Sequence, residues 1–205
     1  MKNNKTKFRT LIIFITFSAA FLSFTPANPD KAEDYLSVGR QLRFDNEDFD
    51  LKWSSNPTVN YNKQEYLRSN DNLESFNKMI LVEAIEGNLK IKDAINAKVN
   101  ELNKRKKWDF VANYQIYENK QKKNECIIDF VVSDTMTIYE WNLYRYQIQK
   151  DENNKNYMVL FAYSYREILN DNNDLRKFFE HIKSNRVDMI NKLQEFTIPK
   201  VKINK

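Results

Sequence analysis

Apolar and aromatic runs, which alternate with polar residues only in part, follow one another through the second half of the chain and predict four β-strands. The strands cover residues 109–118, 126–133, 137–148 and 157–167, and each is rich in the β-branched and aromatic residues that strands favour. The segments between them are polar and of hairpin length. We therefore expect these four strands to pair with their chain neighbours in antiparallel order.

The first half of the chain has a more mixed pattern. Residues 40–53 fit two short strands around a turn at Asp45-Asn46. Residues 54–57, with the sequence SSNP, are expected to break the chain before another strand over 59–67. This part therefore predicts further short strands.

Helical spacing of apolar residues predicts three helices. Residues 69–79 open with cap-forming residues, and residues 91–107 carry an apolar stripe that ends in four cations. The third helix is predicted over 174–194. Residues 79–87 fit a buried strand better than a helix, and residues 196–203 fit an extended tail or an edge strand.

The last two predicted strands carry large side chains on both faces. Alternate side chains of a strand point to opposite faces, yet neither face of residues 137–147 or of residues 157–165 is simply polar. A sheet that is covered on both faces produces this pattern. We therefore expect the tyrosines to form interior walls, with their hydroxyl groups near the margin.

A second interpretation of the same strands is a binding groove. Ligand pockets combine aromatic walls with a few convergent polar groups. The candidate ligand-binding residues are Glu140, Asn142, Tyr144, Tyr163 and Tyr165. Asp129 would join them only in one strand register, which the sequence does not fix.

The N-terminus has the pattern of a secretory signal. Lysines and an arginine precede an uncharged apolar run over residues 11–24, which is shorter than the roughly 20 residues of a membrane span. We predict a signal peptide over 1–27, a polar lead over 28–39 and a single domain over 40–205. The protein is then exported, to the periplasm or to the outside of the cell, with no stable membrane span after cleavage.

Export changes the interpretation of the net charge. The formal charge of +5 includes the four cations of the predicted signal peptide, and without them 29 basic residues face 28 acidic ones. A nearly neutral chain lacks the positive field of a nucleic-acid binder, so we expect no nucleic-acid partner. Cys126 is the single cysteine and cannot form an internal disulfide.

The composition excludes several kinds of chemistry. One histidine, His181, and one cysteine cannot supply the usual zinc ligand sets. The two glycines rule out a glycine-rich phosphate loop, and the G-x-S-x-G elbow is absent. We therefore predict no metal, no cofactor and no catalytic residue. Glu65, Asp129 and Glu140 leave a carboxylate-based hydrolase open as a less favoured alternative.

One segment resembles a known family. Residues 61–86 carry Glu65-Tyr66 at a strand end, Phe76 in a predicted short helix, and Met79-Ile80 at the next strand. In this order the segment resembles the opening of PsbP/DcrB-like domains. The resemblance implies an α/β/α sandwich and an accessory role in an envelope or a photosystem. It assigns no functional residue.

These patterns together predict an α+β fold, with a largely antiparallel sheet flanked by helices in a PsbP-like α/β/α sandwich. The predicted function is that of an exported, soluble, non-enzymatic accessory or binding protein of the cell envelope, with an unknown protein or small molecule as its partner. The alternative is a periplasmic carrier that binds a small ligand on the aromatic face of the central strands.

Overall fold

The computed structural model describes residues 32–118, 124–134, 137–169 and 171–203. Within these ranges the chain forms eight strands and two helices. In chain order they are β1 (Gln41–Phe44), β2 (Glu47–Thr58), β3 (Tyr61–Leu67), β4 (Lys78–Glu86), α1 (Ile91–Arg105), β5 (Asn113–Glu118), β6 (Glu125–Asp134), β7 (Ile138–Lys150), β8 (Asn156–Ile168) and α2 (Asn172–Glu195). The predicted signal peptide lies outside the described residues.

All eight strands belong to one sheet, in the order β1-β2-β3-β4-β8-β7-β6-β5. Each neighbouring pair is antiparallel. Two four-stranded meanders, β1–β4 and β5–β8, are therefore joined side by side through β4 and β8. The predicted antiparallel order of the last four strands is confirmed.

The predicted α/β/α sandwich is wrong. The fold is dominated by its eight-stranded sheet, which curls like a half-barrel, and the described residues contain only two helices, a single one on each face. The PsbP-like α+β description therefore does not apply. The protein is mainly an antiparallel β structure.

The predicted helix over residues 69–79 does not form. The side-chain oxygen of Asn72 accepts hydrogen bonds from the backbone N–H groups of Glu74 and Ser75, both at 2.9 Å. Bonds to the N–H groups two and three residues later have the geometry of a helix N-cap, so the predicted capping signal is present. No helical turn follows it, and the segment is a series of bends that leads into β4.

The predicted break at residues 54–57 is also wrong, because β2 continues through Pro57 to Thr58. The strand β1 pairs only with Glu47–Asp50 of β2, so the rest of β2 has a sheet neighbour on one side. A proline is tolerated at such an edge, where no ladder partner needs its missing N–H. Two register shifts in the β2–β3 ladder bend the strand on the way.

The predicted turn between β1 and β2 is confirmed. Asp45 and Asn46 occupy it with φ angles of 49° and 61°. Left-handed values at both central residues define the two-residue turn whose twist fits an antiparallel hairpin. Asparagine and aspartate tolerate this region better than other residues with a side chain.

Replacing Asn46 with alanine is expected to destabilise the protein by about 1 kcal/mol, because a Cβ without a local hydrogen-bonding group is disfavoured at positive φ. Urea unfolding followed by fluorescence measures the change. Asn103→Ala is the control, because Asn103 is exposed within α1, where alanine is at least as favourable. Equal midpoints for the two variants would contradict the prediction.

The sheet is covered on both faces, as the pattern of β7 and β8 predicted. One face, called the α2 face, packs Trp141, Leu143 and Phe161 against Phe178 and Leu193 of α2. The other, called the α1 face, packs a separate cluster against α1. That cluster includes Leu81, Ile95, Leu102, Ile128, Phe130, Tyr144, Tyr146 and Leu160.

Candidate functional site

The candidate ligand-binding residues are divided between the two faces of the sheet. Asn142 of β7 stands opposite Ser164 of β8, whereas Tyr163 and Tyr165 stand opposite Leu143 and Trp141. Residues directly opposite in an antiparallel pair share a face. The structure therefore brings Glu140, Asn142 and Tyr144 together on the α1 face and places Tyr163 and Tyr165 on the α2 face. Their role in ligand binding stays a prediction.

Glu140 and Asn142 on the α1 face are buried, and the carboxylate of Glu140 and the amide oxygen of Asn142 are bonded to β8, whereas the amide nitrogen of Asn142 has no hydrogen-bond partner among the described residues. Two guanidinium nitrogens of Arg166 bind the carboxylate of Glu140, at 2.6 Å and 2.5 Å. The guanidinium group of Arg166 also lies 3.8 Å from the centre of the Phe76 ring. The amide oxygen of Asn142 accepts a hydrogen bond of 2.6 Å from Ser164. These contacts link β7 to β8, so the side chains first of all stabilise the sheet.

The two tyrosines on the α2 face pack against other rings. Tyr163 packs edge-on against Trp141. Tyr165 is stacked on Phe178 and on His181, with the imidazole 4.2 Å away, and its hydroxyl group donates to Glu167. Burial lowers the pKa of His181. The histidine is therefore a half-buried contact of Tyr165.

Asp129 also lies on the α2 face, away from Glu140. It is fully buried and accepts a 2.8 Å hydrogen bond from the indole N–H of Trp141, and it forms an ion pair of 2.8 Å with Arg186. Burial raises its pKa, while Arg186 opposes the rise. The register thus settles that Asp129 does not join Glu140 and Asn142.

A cluster of charged and polar groups lies under and beside α1, and Glu65 is the only member that the sequence patterns named. We call Tyr61, Lys63, Glu65, Glu83 and Lys98 the charge cluster. The hydroxyl of Tyr61 donates to Glu83 at 2.8 Å, and Lys63 forms a 3.0 Å ion pair with Glu65. The ammonium group of Lys98 is bonded to Glu101 at 2.8 Å and lies over the rings of Phe130 and Tyr144.

Burial changes the acid–base behaviour of this cluster. It raises the pKa of Glu83 to about 7, although Lys63, the hydroxyl of Tyr61 and Lys98 favour the charged form. It also lowers the pKa of Lys98, against the attraction of Glu101. Burial acts on Lys63 in the same direction, but Glu65 and Glu83 outweigh it and raise its pKa.

Two signals in the sequence point to the charge cluster. Glu83 interrupts the apolar run MILVEAIE, and Lys98 falls between Ile95 and Leu102 on the buried stripe of α1. Charged residues at such positions are almost never fully buried unless they are paired. Glu83 is 2% exposed, so its carboxyl group is closed to a substrate in this conformation.

A small cleft lies between the β5–β6 hairpin and the end of α2. Tyr117, Glu125, Cys126 and Gln194 are among the residues that line it, and it offers about 30 Å³. That is room for water, whereas drug-sized ligands need roughly 300–1,000 Å³. Burial raises the pKa of the Cys126 thiol to about 11, which keeps it protonated and unreactive at neutral pH.

A surface turn at the end of α1 displays aromatic rings and cations together. We call residues 104–110, with the sequence KRKKWDF, the KW turn. Trp108 is 63% exposed and Phe110 is 66% exposed. Lys104, Lys106 and Lys107 are exposed beside them. The sequence patterns missed this surface because they assigned residue 110 to a strand, whereas β5 begins at Asn113.

The KW turn is held firmly against β6. Asp109 is buried and accepts hydrogen bonds of 2.8 Å from both the backbone N–H and the hydroxyl of Ser133. It is also paired with Arg105 at 2.7 Å, and Arg105 donates to the carbonyl of Ser133 at 2.5 Å. The guanidinium group lies 4.5 Å from the centre of the Trp108 ring. The exposed rings therefore project from a fixed backbone.

Comparison with known proteins places the chain in a family. A family model matches residues 36–198, which is most of the chain. The chain belongs to this family. It is an uncharacterised family, and its match neither confirms nor conflicts with the PsbP/DcrB-like resemblance. No curated protein matches the chain.

Two further properties concern only the residues that the structure describes. None of their helices is long and apolar enough to cross a membrane. Among the same residues, no three or more histidine, cysteine, aspartate or glutamate side chains are grouped so that they could hold a metal ion.

Proposed function

We propose that this protein is an exported, non-enzymatic accessory protein of the cell envelope that binds its partner through the KW turn. The observation that carries the proposal is the joint exposure of Trp108 and Phe110 on a backbone fixed by Asp109 and Arg105. Tryptophan and arginine dominate binding energy at interfaces, and rigid anchors lose little entropy on binding. Export is supported by the pattern of residues 1–27.

The placement of the acidic residues supports a non-enzymatic role. A catalytic acid or base must come within hydrogen-bond reach of its substrate. Glu83 and Asp129, whose pKa values are raised, are buried, and Glu140 is buried in an ion pair with Arg166. These carboxyl groups contact the protein itself, which favours structural roles for them.

The candidate groove residues are divided between the two faces of the sheet, which favours binding through the KW turn over a role as a small-ligand carrier. Glu140 and Asn142 are separated from Tyr163 and Tyr165 by the thickness of the sheet. All four are buried among protein side chains. A ligand that touched both sets would have to open the β7–β8 ladder, whereas a partner at the KW turn needs no such change.

Site-specific photo-crosslinking tests the proposal. A photo-reactive amino acid in place of Phe110 is expected to give a discrete adduct in intact cells, because this ring is presented to the partner. The matched controls carry the same group at Val59 or Val187, which are 76% and 70% exposed elsewhere on the protein. Adducts of the same kind and yield at all three positions, or at none, would reject a binding role for the KW turn.

A further inference from the structure

We propose that the partner of the KW turn is an anionic lipid surface, on which the protein rests without spanning the bilayer. This inference rests on the proposed function and names the chemistry of the partner. The KW turn would place its lysines at the negatively charged headgroups and the rings of Trp108 and Phe110 in the interfacial layer below them. Both kinds of contact require these side chains to be exposed, as they are.

The charge facing outward from the KW turn is wholly positive. The turn contains four cations and one acid, Asp109. That acid is 2% exposed, and its carboxylate is turned inward to Ser133 and Arg105. The ion pair between Arg105 and Asp109 compensates one positive charge internally. Lys104, Lys106 and Lys107 then remain on the surface to attract an anionic layer.

The apolar part of the surface has the size and position of an interfacial anchor. Trp108 and Phe110 lie two residues apart and expose nearly two thirds of their area. Tryptophan and phenylalanine beside lysines form the amphipathic pattern that partitions into the headgroup boundary. Since Arg105 lies over the Trp108 ring, the indole is already held in place before it meets the surface.

Lysine content favours lipid over an acidic protein as the partner. Lysine is depleted at protein–protein interfaces, where arginine is enriched. Lysine is not disfavoured at a bilayer surface, because its hydrocarbon stem lies along apolar material while its ammonium group stays among the headgroups. The single arginine of the KW turn is engaged with Asp109, and the three outward cations are all lysines.

Vesicle flotation tests the inference with the full chain. We expect binding to phosphatidylcholine vesicles with about one third phosphatidylglycerol, and much weaker binding to phosphatidylcholine alone. The triple variant K104Q/K106Q/K107Q should weaken binding to the anionic vesicles on the order of 100-fold, since each lysine near such a surface accounts for roughly a fivefold change. The W108A/F110A variant should weaken it at least about tenfold, because its rings no longer insert.

Two control variants make changes of the same kind elsewhere on the protein. K92Q/K177Q/K183Q removes three exposed lysines outside the KW turn, and V59A/V187A removes two exposed apolar side chains elsewhere. Both should bind like the wild type. Since every variant carries the same N-terminal segment, any lipid affinity of that segment cancels from the comparison. Unfolding midpoints establish that each variant is folded.

Distinct outcomes separate this inference from the proposed function. No binding to anionic vesicles, or equal loss in the control variants, overturns the lipid assignment. If Phe110 crosslinks to a protein while vesicles are not bound, the binding role of the KW turn stands and its partner is an acidic protein. If neither vesicles nor crosslinks single out the turn, both proposals fall.

Discussion

Replacing Arg145 with methionine is expected to destabilise the protein by about 3–5 kcal/mol, the cost of breaking a buried ion pair from one side. Arg145 is 2% exposed, and two of its nitrogens donate to Glu125 at 2.8 Å and 3.1 Å. Its third nitrogen donates to the carbonyls of Leu193 and Phe196 at 2.7 Å and 2.6 Å. One side chain thus joins β6, β7 and the end of α2.

The large effect has two sources. Methionine leaves the carboxylate of Glu125 buried without its guanidinium partner, and it removes the donor from two carbonyls at the C-terminal end of α2. Helix ends leave such carbonyls without partners inside the helix, so a side chain or water must satisfy them. The last turn of α2 and the residues after it should therefore loosen first.

Urea unfolding measures the loss, and hydrogen exchange of residues 190–198 reports the local effect. Arg176→Gln is the control, because the Arg176–Glu180 pair is on the surface, with side chains 68% and 61% exposed. Exposed pairs typically contribute less than about 1 kcal/mol. The prediction fails if R145M and R176Q lose equal stability.

Replacing Glu83 with glutamine is expected to stabilise the protein by about 3 kcal/mol at pH 8 and to have little effect near pH 4. Burial raises the pKa of Glu83 from its ordinary 4.5 to about 7, and a difference of this size corresponds to about 3 kcal/mol. Above pH 7 the wild type must hold a charged carboxylate in the interior. Glutamine has nearly the same shape and keeps an oxygen to accept from Tyr61.

The direction of the pH dependence follows from proton binding. Between pH 4.5 and about 7 the folded state retains the proton of Glu83, whereas the unfolded state has released it. The contribution of Glu83 to stability is therefore complete below pH 4.5 and is lost as the pH rises to about 7. The variant has no such group, so the stability difference between the two proteins widens over this range.

Urea midpoints from pH 4 to pH 8 test this expectation. Glu180→Gln is the control, since its side chain is 61% exposed and its curve should stay parallel to that of the wild type. A difference between E83Q and the wild type that is constant with pH would contradict a raised pKa for Glu83.

Local features of the fold could be predicted from the sequence. The hairpin at Asp45-Asn46 and the strands β6, β7 and β8 appear where alternation and turn residues placed them. Such signals depend on near neighbours in the chain. At residues 69–79 the capping signal was read correctly, since Asn72 accepts from the N–H groups of Glu74 and Ser75, but no helix follows the cap.

The grouping of the candidate ligand-binding residues on β7 and β8 could not be predicted, because it depends on the register between these strands. Alternation determines which residues within β7 share a face and which within β8 do, but the pairing of Asn142 with Ser164 determines which of these faces meet. A shift of one residue would have placed Asn142 beside Tyr163 or Tyr165. The burial of Lys98 and the exposure of Trp108 depend on packing between distant segments, which periodicity does not report.

The central ladder between β4 and β8 determines when the sheet can be completed. Ile80 pairs with Tyr163, 83 positions later in the chain. A newly made N-terminal meander therefore presents an open, strongly apolar edge until β8 is available. Long-range pairings of this kind slow folding, and open strand edges recruit other chains. A holding chaperone would have its greatest effect during that interval.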